Sequence, residues 1–297
     1  EFPTLPHLAR ARDQKVFKLW EGLGYYSRCR NLLTTARLIE KEYQGLFPRE
    51  YDQIRQLKGV GPYTAAAIAS FAYNLPYAVV DGNVQRVLAR YFGLDIPIDT
   101  TKGKKTFSDL AQELLPREVP ALFNQAIMDF GAMICKPRQP LCASCIYKKT
   151  CRALAKDQVD RLPVKEKKIV VRDRWFTYVL IRSGRHYWVR QRTEKDIWNQ
   201  LYEFVLLENK GRFQSAAGAR RSLKQLLKRN QLPELSGALQ LQQQLSHQTV
   251  HAQFYQLELP ATAPLPEGYQ KVNVRKLHQL AFPLVINTYL QRAGIKK

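Results

Sequence analysis

Four of the chain's five cysteines lie within seventeen residues, CKPRQPLCASCIYKKTC, as Cys135, Cys142, Cys145 and Cys151 in the spacing C-x6-C-x2-C-x5-C. No other feature narrows the fold as far. A secreted disulfide framework would spread its cysteines along a short chain, and no secretory signal stands at the start. The thiols are therefore expected in a reducing compartment, free to bind metal. Zinc sites usually pair two short Cys knuckles, and only one C-x2-C occurs here, with longer outer gaps. Four thiolates in a compact wrap also suit a [4Fe–4S] cubane. Spacing alone leaves both open, with the cluster ahead. The same stretch carries Lys136, Arg138, Lys148 and Lys149, so the thiols sit in a basic loop. Cys29 stands apart between Arg28 and Arg30 in a helical pattern and reads as a structural thiol.

The charge says what a basic loop is for. The 297 residues carry a formal net charge of +22, which points to a polyanionic partner, nucleic acid first. No apolar run reaches the length of a membrane span, and no basic amphipathic helix of the membrane-binding kind occurs, so a membrane partner is not expected. Residue 1 is Glu rather than Met, so the chain is expected to begin inside a longer gene product.

Hydrophobic periodicity divides the chain into two classes of structure. Residues 1–155 read as all-α. Helical spacing runs through DQKVFKLWEGLGYYSRCRNLLTTARLIEKEY, interrupted at Gly22 and Gly24, and then through PREYDQIRQL, PYTAAAIASFAYN, GNVQRVLARYFGL, KKTFSDLAQELL and PALFNQAIMDFGAMIC. Residues 156–172, polar and basic with one proline, read as a linker. Residues 173–297 read as mixed α/β. RWFTYVLIRSGRHYWVRQR gives two strands turning at Ser183-Gly184, and LYEFVLLE a third. SAAGARRSLKQLLKRN gives a basic helix, ALQLQQQLSHQTVHAQFYQLEL two strands broken near Ser246, and PLVINTYLQRAG a closing helix.

Two motifs in the helical half carry chemistry. In LKGVGPYTA, Gly59, Val60 and Gly61 join two helices. Glycines permit the tight backbone, Val60 anchors the loop in the core, and the amides opening the second helix can hold a phosphate oxygen. This is a sequence-independent grip on a DNA backbone. In VVDGNV, Asp81 follows an apolar run at the expected start of the next helix. It is an N-cap by position. It is also a carboxylate that could stabilise an oxocarbenium-like sugar as a glycosidic bond breaks.

The helix–GVG–helix, the VVDGNV and the C-x6-C-x2-C-x5-C, in this order, resemble the helix-hairpin-helix DNA glycosylase superfamily with an iron–sulfur cluster. LWEGLGYYSRCRNL, FNQAIMDFGAMIC and the second half resemble its adenine DNA glycosylase (MutY type) branch. The resemblance covers nearly the whole chain. It implies an all-α helix-hairpin-helix glycosylase domain at 1–155 with a [4Fe–4S] cluster on Cys135, Cys142, Cys145 and Cys151. It also implies a C-terminal α/β, Nudix-like 8-oxoguanine-recognition domain at 173–297. The Glu-rich box of active Nudix enzymes is missing, so no pyrophosphatase activity is expected. Asp81 matches the catalytic aspartate and Asn83 its hydrogen-bonding support. Tyr63 stands where the endonuclease III type carries a Schiff-base lysine, which favours hydrolysis over strand nicking. Leu23 and Tyr25 match the loop that probes the base opposite the target, with Tyr25 as the wedge. Ser246 and His247 match the loop that reads 8-oxoguanine, with Leu245 in place of an aromatic residue.

The implied activity is a monofunctional glycosylase for base excision repair. It acts on double-stranded DNA as a monomer and removes adenine opposite 8-oxoguanine or guanine. In a bacterium its place is the cytoplasm, on the nucleoid. The family's general-acid glutamate lies on a helix expected to precede EFPTLPHLARA, Glu21 does not replace it, and the chain alone is expected to be impaired. Two other readings stand beside this one: an endonuclease III-like glycosylase/lyase for oxidised pyrimidines, and a non-catalytic iron–sulfur DNA-binding protein.

Overall fold

The structure, a computed structural model, describes residues 1–166 and 170–296. It divides into two compact units, Arg37–Lys168 and Glu1–Ala36 with Ile169–Lys297. The boundary near the N-terminus falls inside a helix rather than between the expected halves.

The first 36 residues contribute helices α1 (Leu5–Ala9), α2 (Asp13–Leu19) and the start of α3 (Tyr26–Glu42). Their apolar stripe, Val16, Phe17, Tyr26 and Leu33, shares one core with the β-sheet residues Phe176, Tyr178 and Leu180. Hydrogen bonds lock the contact: Lys18 Nζ donates to Leu280 O (3.0 Å) and Arg30 Nη1 to Asn199 O (3.0 Å). Periodicity shows that a helix has an apolar stripe but not which face receives it. The helical class expected for 1–155 holds, while its first 36 residues pack on the sheet of the second half.

The helical unit continues with α4 (Tyr51–Gln56), α5 (Pro62–Tyr73), α6 (Gly82–Phe92), α7 (Thr101–Leu114), α8 (Pro120–Met133) and α9 (Arg152–Ala155). The stops are legible in the residues. Pro62 opens α5 at N1 and Asn74 closes it in the left-handed region (φ 51°). Gly93 closes α6 at φ 64°. Thr100 caps α7 by accepting from Gly103 N (3.0 Å). At Gly103 a Cβ would overlap the Pro97 carbonyl. Gly103→Ala is therefore expected to lower stability by about 2–3 kcal/mol, read as a shifted urea midpoint at unchanged slope.

Part of the expected linker is tied to the helical unit. Arg90 Nε donates to Val159 O and Leu162 O (both 3.0 Å), Ile98 N donates to Val164 O (3.0 Å), and Leu162 is buried. Residues 167–169 of that span lie outside the described residues.

The second unit is built on one mixed sheet of β1 (Arg172–Ser183), β2 (His186–Gln191), β3 (Tyr202–Glu203), β4 (Val205–Asn209), β5 (Ser236–Gln244), β6 (Gln248–Leu259) and β7 (Tyr269–Asn273). The path is β3-β2-β1-β6-β5, with β4 on β1 and β7 on β2. β1 runs parallel to β6 over its whole length. Alternation places Phe176, Tyr178 and Leu180 in the core shared with α2, α3, α11 (Val274–Gln279) and α12 (Leu284–Arg292). Val179 and Ile181 face the other way, onto Ala219 and Leu223 of α10 (Ala216–Leu226). The sheet is thus covered by helices on both faces. LYEFVLLE, expected as one strand, is divided at Phe204, so that β3 pairs with β2 and β4 with β1.

Candidate active site

In the helical unit, the turn between α4 and α5 is set by Gly59 at φ 79°, a conformation that costs glycine least. Val60, half-buried, packs against the cluster of Ile54, Ala65 and Ala69. No side chain caps the start of α5, which leaves the amides after Gly61 and Pro62 to solvent or ligand. Tyr63 sits in that first turn, 48 % exposed.

Asp81 is the N-cap of α6, as its position in the sequence predicts. Oδ1 accepts from Val84 N (2.8 Å), while Oδ2 accepts from Asn83 Nδ2 (2.9 Å). A cap needs only the first bond. The second opens a chain: Asn83 Oδ1 accepts from Arg86 Nη2 (2.8 Å), which also donates to Gly131 O (2.6 Å), and Arg86 Nε donates to Cys135 O (2.7 Å). Arg90 Nη1 donates to Lys136 O (2.7 Å) and lies 3.4 Å from Cys135 Sγ. One helix therefore fixes the carboxylate at its start and the first thiol of the cysteine loop along its side. Asp81 and Asn83 border a cleft of about 460 Å³, with Arg86, Pro137, Asp160 and Lys165 also on its wall.

Two further features hold this end of α6. Asn124, fully buried on α8, accepts from Val79 N (3.0 Å) and donates to Tyr77 O and Ser70 Oγ (both 2.9 Å), fixing the segment that leads into Asp81. Gly131 lies so close to α6 that a Cβ there would come within 2.8 Å of Asn83 Cβ.

Cys135, Cys142, Cys145 and Cys151 border one shared cavity, walled by Val87, Phe130 and Tyr147. All are free thiols. Burial, then the neighbouring thiols, push the Cys142 thiol up from its ordinary value. Among the described residues no group of three or more His, Cys, Asp or Glu side chains is set to hold a single metal ion. Burial raises the Cys29 thiol to about 11, in keeping with a structural residue.

In the second unit, Leu23 and Tyr25 project from a loop between α2 and α3, each 64 % exposed. Gly22 (φ 92°), Gly24 (φ 69°) and Tyr25 itself (φ 45°) all take the left-handed region. Trp20 Nε1 donates to Gly24 O (2.9 Å) and braces the loop. Ser246 and His247, both exposed, form the turn between β5 and β6, closed by Leu245 N to Gln248 O (2.7 Å). The structure joins the two loops: the Tyr25 and Ser246 hydroxyl oxygens lie 3.0 Å apart. Leu245 packs against the core beneath. Glu21 is occupied structurally: its carboxylate accepts from Phe282 N (2.9 Å), Lys18 Nζ (2.7 Å) and Lys296 Nζ (3.1 Å).

Sequence reasoning missed Arg86, Arg90, Asn124 and Gly131. The available signal was two arginines four apart within the apolar run of α6, a pattern that burial punishes unless partners exist.

Residues 1–117 match the HhH-GPD superfamily of base excision DNA repair proteins, and residues 177–292 match the NUDIX domain. The chain is similar to adenine DNA glycosylases. It is 35 % identical to that of Buchnera aphidicola subsp. Acyrthosiphon pisum over 209 residues, covering 70 % of this chain and 60 % of the relative. It is 43 % identical to that of Homo sapiens over 163 residues, 54 % of this chain and 30 % of the relative. The chain thus spans less than two thirds of these relatives' length. Among solved structures, a thermostable thymine-DNA glycosylase is similar at 32 % identity and a TM-score of 0.48, over 52 % of this chain and 70 % of that one. Among the described residues no helix is long and apolar enough to cross a membrane.

Proposed function

We propose that the protein removes adenine paired with 8-oxoguanine or guanine from double-stranded DNA by hydrolysing the N-glycosidic bond. The observation that carries this is the Asp81 carboxylate, held by Asn83 and Val84 N at the wall of an open cleft. Asp81 stabilises the cationic sugar as the C1′–N9 bond breaks. Water supplies the hydroxyl at C1′, and adenine departs with a proton. Tyr63 offers no amine for an imine, so the sugar is left for water and the strand stays whole. The Gly59–Gly61 turn grips a phosphate through backbone amides. Leu23 and Tyr25 probe the stack, and Ser246 and His247 read the oxidised base. The protein works as a monomer wherever the DNA is.

Cys135, Cys142, Cys145 and Cys151 would hold a [4Fe–4S] cluster. Such a cluster takes one thiolate per iron and needs its thiols around a shared cavity, as these four are. When bound, it supplies a rigid centre to the Lys136–Lys149 loop. Protein purified without oxygen should carry about four irons per chain; a single zinc would overturn this assignment.

The deciding experiment is single-turnover release of adenine from an A:8-oxoguanine duplex by the full-length protein, with borohydride added in parallel. Release without a trapped covalent adduct supports the proposal. A trapped adduct would indicate a lyase, and tight binding without release a non-catalytic DNA-binding protein. Tyr25→Phe keeps the wedge but removes the hydroxyl contact to Ser246. Its preference for 8-oxoguanine over guanine opposite adenine should fall by about 3–10-fold with no change in melting temperature, the size of one lost hydrogen bond.

A further inference from the structure

We infer that Arg28 is the positioning residue of the Tyr25 wedge; this rests on the reading of Tyr25 as a side chain that enters the base stack. A wedge must keep its orientation, yet Tyr25 is mostly exposed and its backbone is left-handed. Among the described residues two side chains restrain its ring. Ser246 meets the hydroxyl at the tip. Arg28 covers the face, its guanidinium carbon 4.8 Å from the ring centroid. The geometry follows from the chain: Arg28 N donates to Tyr25 O (2.8 Å), so the first turn of α3 places residue 28 over residue 25.

The two arginines flanking Cys29 have separate roles. Arg30 is committed to Asn199 O. Arg28 is exposed and, among the described residues, makes no ion pair with a carboxylate. A planar guanidinium on an aromatic face is both a cation–π contact and a stack, and it leaves the opposite face of the ring free for a base. Holding the ring in one rotamer before DNA arrives reduces the ordering cost of binding.

The rival role for an exposed arginine in a DNA-binding protein is a phosphate contact. A double-mutant cycle separates the two, using affinity for a duplex with 2′-fluoroadenosine, which resists excision, opposite 8-oxoguanine. Arg28→Met should raise Kd about 2–5-fold, the range of an exposed cation–π contact. In a Tyr25→Leu background the same substitution should have no further effect, because the ring it acts through is gone. The slope of log Kd against log salt and the melting temperature should both stay at wild-type values. Additive losses, or a slope reduced by about one, would make Arg28 a phosphate ligand and overturn the inference. No loss with Tyr25→Leu alone would overturn it too, by removing the wedge. Failure of the unsubstituted protein to prefer the 8-oxoguanine duplex over a matched one would count instead against the proposed function.

Discussion

Asp81→Asn is expected to slow adenine release by at least about 10³-fold while leaving the fold intact. The asymmetry comes from the two jobs of one side chain. As an N-cap, Asp81 uses Oδ1 to accept from Val84 N, and asparagine caps a helix as well as aspartate does. The cap is kept, but Asn83 Nδ2 loses its acceptor at Oδ2, so unfolding free energy should fall by no more than about 1 kcal/mol. As a charge facing a developing sugar cation, aspartate has no substitute in a neutral amide. Asp81→Ala should show the complementary loss: a similar rate defect plus about 1 kcal/mol from the missing cap. Single-turnover release at saturating protein, with urea midpoints in parallel, gives both numbers. An Asn variant within tenfold of wild type would reduce Asp81 to its capping role.

How far the sequence reached depends on whether a feature is local. The N-cap at Asp81, the proline-led start of α5, the left-handed glycine after α6 and the strand turn at Ser183-Gly184 are each decided within a few residues, and each was legible. The fold class followed from the change in period near residue 173. Partner choice did not follow. Nothing in VFKLW or CRNLL says that those helices close on Phe176 and Tyr178, and nothing in β1 announces a parallel neighbour 76 residues later in β6. The site shows the same division. Asp81 and the four cysteines stand out by motif, whereas the link between them runs through buried side chains. Arg86 and Arg90 look like misplaced charges in α6 until α8 and the segment after it supply carbonyl acceptors. Gly131 looks like a helix-weakening residue until the close approach of Asn83 explains why a Cβ is excluded.

Arg86→Met should carry the largest stability cost of any substitution near the site, about 3 kcal/mol. Burial lowers the pKa of the Arg86 guanidinium, so holding the charge there is itself unfavourable. What offsets it is the set of acceptors, Asn83 Oδ1, Gly131 O and Cys135 O, with a longer contact to Gly82 O (3.5 Å). Methionine fills a similar stem volume and removes the buried charge, but it takes the guanidinium donor from Asn83 Oδ1 and Gly131 O, and leaves Cys135 O with only the long contact from Arg90 Nη1 (3.5 Å). Each buried acceptor left unpaired costs about 1–3 kcal/mol, and relief of the desolvated charge returns part of the sum. Arg86→Lys, with one compact ammonium in place of the fork, should fall between. The rate should drop as well, by about 10–100-fold per folded molecule, because Asn83 loses the partner that aims it at Asp81. Asn83→Ala separates the contributions. It keeps three of the four Arg86 acceptors, Gly82 O, Gly131 O and Cys135 O, so its stability loss should be near 1 kcal/mol, while its rate should match that of Arg86→Met. If Arg86→Met unfolds readily yet releases adenine at the wild-type rate when folded, then α6 merely scaffolds the cleft, and the hydrogen-bond chain from Cys135 to Asp81 has no part in the chemistry.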